Sequence, residues 1–318
     1  IISAVIFSTA GGNDGGPGGL GLVGLGIGAL IGAVLQLLVV FFGMQGTSFK
    51  WRPKIDLTKD FKLVLNRLPA RSIDQGIDSI NSIVETRFAS KLGTGNISYY
   101  ENAYTLHTVP IQLVGTTVAT AAFPRLTERL SSGRTDLFRK DFLMVLRAMI
   151  RVMMPIVVIC YFARGYLSRL IFAEGVPQIT LIFGYLAGAI FFRTLYAIIS
   201  RWFYAQKDTK TPLLISLFTI ALNVFLAYTL SKPDAYGIAG LAMAQSIVAA
   251  VEVLILTIVM LTRDHKLFNA EFWHGIVRIM SVTGFSVLAA FVMLTLLPLN
   301  ATDVGFITFA SKLGAIAG

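Results

Sequence analysis

Six apolar runs, at residues 20–43, 142–163, 179–204, 213–230, 238–261 and 276–297, recur along the chain between short charged stretches. Each is close to the roughly 20 residues needed to span about 30 Å of hydrocarbon at 1.5 Å per residue. None shows the period-two alternation of a strand. Only helices and closed barrels satisfy their backbone in lipid. The pattern therefore predicts an all-α, polytopic transmembrane helix bundle. Residues 61–90 and 98–123 are more polar, yet long enough to span if their polar faces turn inward. Apolar stretches at 1–10 and 304–318 flank these runs, and the second is too short to cross. Eight full spans are expected, with a partial span at each end.

The stretch 61–90 carries the sharpest polar pattern. Asp74, Asp78, Asn81 and Glu85 are spaced four, three and four apart and share one helical face. Ile73, Ile77, Ile80, Ile83 and Val84 fill much of the remainder. Carboxylates at bilayer depth are costly, so they normally face a bundle interior or a wet cavity and mark a substrate or ion path. Taken alone, the stripe also suits a soluble amphipathic helix. The apolar runs on either side favour the membrane reading.

Composition agrees. The 318 residues are 55% hydrophobic and 14% charged, where a soluble domain carries roughly 25% charged residues. The net charge of +10 would suit nucleic acid, but its placement argues against that partner. Alternate loops are basic. One set holds Lys50, Arg52, Lys54 and Lys59, then Arg125, Arg129, Arg134, Arg139 and Lys140, then Lys207 and Lys210, then Arg263 and Lys266. The other holds only Lys91, Arg164, Arg169 and Lys232. This is the positive-inside asymmetry, which makes the first set cytoplasmic and the glycine-rich loop at 11–19 external. The single cysteine, Cys160, supports neither a disulfide framework nor a metal site. No phosphate-binding loop, HExxH or Gly-x-Ser-x-Gly motif occurs, so ATP hydrolysis and these hydrolase chemistries find no support.

Loops and helix ends carry a resemblance. FYAQKDTKTP at 203–212, ASKLGTGNIS at 89–98, VPIQLVGTTVATAAFPRLTERLSSG at 109–133, LIFAEG at 170–175 and GIAGLAMAQS at 237–246 together resemble signatures of the MurJ (MviN) lipid II flippase family, in the family's order. That family belongs to the multidrug/oligosaccharidyl-lipid/polysaccharide exporter superfamily. The resemblance implies about fourteen helices in two lobes and a final pair forming a lipid-tail groove. It places this chain from the end of the fifth helix into the fourteenth. Residues 1–60 would then end the N-lobe, 61–262 would form a six-helix C-lobe, and 263–318 would begin the groove helices. The motif residues also have structural readings. Asp208 and Thr209 can cap a helix, Pro212 suits a first helical turn, and the glycines of GIAGLAMA permit close helix packing. Pro69, Pro110 and Pro155 are expected to kink helices.

The resemblance also implies sites. Glu85, Asn223 and Gln245 match positions of a cation site, where a weak Na⁺ site is the expected cofactor; no other is expected. Ala227 stands where some members have a second acid, and this weakens the ion coupling. Asn223 suits an interhelical hydrogen bond equally, and Glu85 could instead pair with Arg87. Thr105 stands where the family's eighth helix carries an arginine facing the cavity, and a threonine cannot make the bidentate contact to a diphosphate. His107 could substitute when protonated, or serve as a structural histidine bonded to a neighbouring helix. The implied substrate cavity comprises Arg71, Asp74, Asp78, Asn81, Thr105, His107, Thr108 and Arg193. Arg201, nearer a helix end, suits snorkelling.

The implied activity is translocation of undecaprenyl-diphosphate-linked peptidoglycan precursor, lipid II, across the bacterial cytoplasmic membrane by alternating access, without bond chemistry. Implied partners are lipid II or a related polyprenyl-diphosphate glycolipid, membrane lipids and the cell-wall synthesis machinery. Rival readings are an exporter of another polyprenyl-linked glycan, a cation-coupled antiporter, and a non-transporting scaffold of a cell-wall assembly complex.

Overall fold

A computed structural model describes residues 21–44, 82–172, 174–232 and 234–296, with Ser311 and Gly314. Arg71, Asp74, Asp78, Asn81, Pro69 and the Lys50–Lys59 loop lie outside the described residues. Among those described, every regular element is helical. Helix α1 is Gly21–Met44, in a unit of its own at residues 1–63.

The second unit holds the remaining helices. Residues 82–91 form α2. Next come α3, Asn96–Pro110, a π-helical segment, Ile111–Thr116, and α4, Thr117–Ser131. Then follow α5, Thr135–Phe162, α6, Arg164–Ile171, α7, Val176–Ala205, α8, Lys210–Leu230, α9, Ile238–Arg263, and α10, Ala270–Leu296. Six helices, α1, α5, α7, α8, α9 and α10, are long and apolar enough to cross a membrane. They match the six apolar runs. The more polar stretch 98–123 is helical throughout but changes its hydrogen-bond register part-way.

Helix α7 is the axis of the second unit. In its most apolar window 61% of residues are buried, against 22% in α8 and 17% in α10. It packs against α9, α3, α5, α6 and the π segment, while α9 also covers α8 and α10 lies on α5. Large side chains fill one end of this core, among them Phe142, Met149, Trp202, Phe203 and Met260. Tyr100, Ile179, Phe183, Leu186 and Leu241 fill the other. Polar side chains occupy the level between: Arg193 lies between Ile190 and Leu195 on α7, and Gln245 and Glu252 lie between Ala244 and Val253 on α9.

Two glycines permit the close approaches. A side-chain carbon on Gly240 would fall 2.1 Å from the Leu230 carbonyl oxygen, so the α8–α9 corner tolerates only glycine there. One on Gly115 would meet Thr194 at 3.2 Å, where the π segment presses on α7. Pro110 opens that segment. Its missing N–H breaks the α-helical ladder, and the chain resumes with i to i+5 bonds.

Ion pairs gather three of the connections at one end of the bundle. Arg125 grips Asp141 with two bonds of 2.9 and 3.0 Å, and Arg129 adds a third at 3.2 Å. Arg139 reaches Asp264 at 2.6 Å and Arg263 reaches Asp208 at 2.6 Å. The α4–α5, α7–α8 and α9–α10 connections therefore share one end of the bundle, as the alternation of basic loops requires. The positive-inside rule makes that end cytoplasmic.

The sequence FYAQKDTKTP is a structural fastener at this end. Asp208 Oδ1 accepts the backbone N–H groups of Lys210 and Thr211, both at 3.1 Å, and so caps the start of α8. The Thr211 hydroxyl donates to Asp208 Oδ2 at 2.6 Å, and Arg263 Nη2 donates to Thr211 Oγ1 at 2.7 Å. Thr209, the other expected cap, makes no side-chain capping bond.

Candidate functional site

A connected set of polar side chains crosses the apolar interior. Glu85 on α2, Tyr100 on α3, Asn223 on α8 and Gln245 on α9 are each 4% exposed or less. The Tyr100 hydroxyl donates to Glu85 Oε2 at 2.9 Å. Asn223 Nδ2 donates to Glu85 Oε1 at 3.2 Å, and Gln245 Nε2 donates to the same oxygen. Four helices thus converge on one carboxylate. Burying a carboxylate without partners is prohibitive, and three donors make this one tolerable.

The set continues through Gln245. Its Oε1 accepts from Arg193 Nη2 at 3.2 Å, and Arg193 Nη1 pairs with Glu252 Oε2 at 3.3 Å. Glu252 Oε1 accepts from the Ser216 hydroxyl at 2.8 Å, and Ser216 lies 3.3 Å from the Tyr196 hydroxyl. A single guanidinium therefore bridges two buried acids, directly to Glu252 and through Gln245 to Glu85. The helices suit this arrangement. Arg193 is three residues from Tyr196 on α7, and Gln245 and Glu252 are seven apart on α9, so each pair shares a face.

The three residues implied as a cation site, Glu85, Asn223 and Gln245, do come together. Their donor set as arranged is not an oxygen cage. Both amides turn nitrogen toward the carboxylate, and the Gln245 oxygen faces Arg193. A hard cation takes oxygen ligands. To fit one here, both amides would have to turn over and Gln245 would have to release Arg193. Ala227, one turn after Asn223, is buried and supplies no ligand. Arg87 is exposed and does not pair with Glu85.

The residues implied on the substrate path divide. Arg193 is in the network above, with its charge opposed by Glu252. His107 is 5% exposed, its Nδ1 lies 2.9 Å from the Tyr104 carbonyl of its own helix, and its ring packs 4.7 Å from that of Tyr104. The partner is thus within α3, not on a neighbouring helix. Thr105 and Thr108 spend their hydroxyls on the carbonyls four residues back, Glu101 at 2.9 Å and Tyr104 at 2.7 Å. Arg201 bonds the Ala197 carbonyl at 2.9 Å.

Sequence reasoning passed over Glu252, Ser216 and Tyr100. Glu252 had a visible signal: it is the one acidic residue in the apolar run 238–261, and an acid at that depth is by default functional or paired.

Residues 1–312 match the family described as lipid II flippase MurJ. A probable lipid II flippase MurJ of Borreliella burgdorferi is 24% identical over 262 residues, covering 79% of this chain and 50% of that protein. Its counterpart from Rhizobium meliloti is 29% identical, covering 75% of this chain and 45% of that protein. The chain spans about half the length of these two relatives. A solved structure of the lipid II flippase MurJ in an inward closed conformation superposes with a TM-score of 0.74 at 20% identity, covering 99% of this chain and 63% of that chain. An outward-facing multidrug resistance MATE transporter of the MOP superfamily gives 0.55 at 14% identity, covering 70% of this chain and 52% of that one. At these identities the structural likeness shows the fold.

Proposed function

We propose, from the premise that this chain belongs to the lipid II flippase MurJ family, that it forms the C-terminal part of a flippase for lipid II or a closely related polyprenyl-diphosphate glycolipid. It is a multi-pass inner-membrane protein. In this reading it makes and breaks no bond. Its work is to offer a polar path for a headgroup while the lipid tail stays in the bilayer, as two lobes rock about a shared cavity.

One observation carries the reading: a charged network buried among helices whose composition is that of membrane spans. Interior charge of this kind is expected where helices must hold alternative arrangements around a polar path. Because the Arg193 charge is already opposed by Glu252, we assign it to holding α7 and α9 in register. Neutralising the diphosphate then falls to other cations, with Arg71 the first choice from the sequence. We assign Glu85 to joining α2 and α3 to that pair of helices, and Na⁺ to a minor role at most.

Purified full-length protein in liposomes, loaded with fluorescent lipid II in the inner leaflet, should expose the label to an external reductant. Glu252→Gln should slow this several-fold with insertion unchanged. Equal rates with and without protein would remove the lipid II reading. Faster movement of another polyprenyl-linked glycan would favour the exporter alternative.

A further inference from the structure

A second feature lies at the cytoplasmic end, away from the network. A cavity of about 680 Å³ opens between the first half of α5 and the α9–α10 connection. Its cationic lining is Arg139, Lys140, Arg147 and Arg151 from α5, with Lys266 from the connection; Asp136 and Glu271 are its acids. Arg139 is held by Asp264 and Asp136, and Arg147 by Glu271 at 3.4 Å. Lys140, Arg151 and Lys266 enter no ion pair among the described residues. Leu143, Met144 and Leu267 supply an apolar lining between the charges.

We propose that this cavity binds the phosphate headgroup of an anionic phospholipid from the cytoplasmic leaflet. Lys140, Met144, Arg147 and Arg151 are spaced four, three and four apart, so the cations run down one face of α5. Arg151 lies about 24 Å along the helix from Thr135. That puts it inside the apolar run 142–163, and it is exposed. A charge exposed at this depth is costly unless it reaches up to an anion near the interface. Basic cavities between membrane helices on the cytoplasmic side suit phospholipid headgroups. The apolar lining distinguishes the occupant. Free phosphate would use only the cations, whereas a phospholipid also covers Met144 and its neighbours with acyl chain. The polyprenyl diphosphate of the proposed substrate shares the phosphate chemistry, and the test separates the two.

Protein purified in a neutral detergent is titrated with dioleoylphosphatidylglycerol or dioleoylphosphatidylcholine, and read by melting temperature and by native mass spectrometry of retained lipid. The anionic lipid should be retained and raise the melting temperature; the zwitterionic one should do neither. The triple variant Lys140→Gln, Arg151→Gln and Lys266→Gln spares the paired arginines and should bind the anionic lipid about a hundredfold more weakly. The single Lys266→Gln, on a connection, should weaken it about fivefold with the lipid-free melting temperature unchanged. Equal binding by wild type and both variants overturns the proposal. So does displacement of the lipid by millimolar inorganic phosphate, or tight binding of undecaprenyl diphosphate where phosphatidylglycerol fails. The assay needs no transport, so its result stands apart from the lipid II reading.

Discussion

Arg193 and Glu252 form an ion pair of 3.3 Å between α7 and α9, in the middle of the apolar bundle. The Glu252 side chain is 3% exposed and the Arg193 side chain 28%. Removing one partner strands the other charge, which costs about 3–5 kcal/mol in a fully buried pair. The exposure of Arg193 puts the expected loss for Glu252→Met near 3 kcal/mol. The double variant Glu252→Met with Arg193→Met should lose less than either single one. Thermal melts in detergent give the comparison, and additive losses would show that the two side chains are not coupled.

Glu85 should be the least replaceable acceptor. Glu85→Leu leaves the Tyr100, Asn223 and Gln245 donors facing an apolar side chain, at about 1–3 kcal/mol for each donor left unmet. Tyr100→Phe removes a single donor and should cost about 1 kcal/mol. Hydrogen exchange at the α2–α3 turn provides a local readout. A Glu85→Leu protein as stable as Tyr100→Phe would contradict the convergence of four helices on this carboxylate.

The Asp208 fastener predicts a pH dependence. Burial pushes this carboxyl up, but hydrogen bonds from Thr211 and Arg263 outweigh it and hold the group at about 2, below the ordinary 3.8. A depressed folded value stabilises wherever the unfolded group is ionised. The contribution is therefore complete above about pH 4 and is lost as the pH falls through 2. Asp208→Asn should melt lower than wild type by a constant margin at neutral pH, and the margin should close on acidification through that window. A margin that persists at pH 2 would leave the cap, not the charge, as the cause.

Restoring an acid at Ala227 is the test of ion coupling. The wild-type amides present nitrogen to Glu85, so Na⁺ should raise its melting temperature little more than choline does. Ala227→Asp places a carboxylate one turn from Asn223, and should create Na⁺-dependent stabilisation through preferential binding to the folded state. If the variant also ignores Na⁺, the role of Asn223 is confined to its hydrogen bond with Glu85.

The topology is checked by labelling single cysteines in a Cys160→Ala background. Cysteines at Arg134 and Lys266 should react only from the cytoplasm, and one at Asp234 only from outside. Reaction of the Lys266 position in intact cells would invert the assignment.

The spans were legible because hydrophobic length is a one-dimensional property. Among the described residues, each of the six apolar runs forms a helix. The fastener was legible in kind, since Asp-Thr before a proline suggests a cap, but the partner that secures it, Arg263, is 55 residues away in sequence. The meeting of Glu85, Asn223 and Gln245 followed from the family resemblance and not from spacing, because no local rule brings positions 138 and 160 residues apart together. Arg193 was read as open to a cavity. Its pairing was missed because Glu252, 59 residues away on another helix, was passed over, and no local spacing rule links the two positions. The change of register after Pro110 was equally hidden. A proline announces a disruption, but whether the helix kinks or widens is decided by its neighbours, here the fit of Gly115 against Thr194.

That widened segment, Ile111–Thr116, acts on the chain as a phase shifter. Each residue advances an α-helix by about 100°, and a bond pattern that takes up one extra residue offsets everything downstream by about that angle. A helical wheel drawn straight from Asn96 to Ser131 therefore assigns Arg125 and Arg129 to a face they do not occupy. With the offset, both turn onto Asp141, while Tyr100 at the other end still points at Glu85. One turn of loosened helix lets a single rod serve two differently oriented contacts. Deleting one residue between Gln112 and Thr116 would force a choice between them.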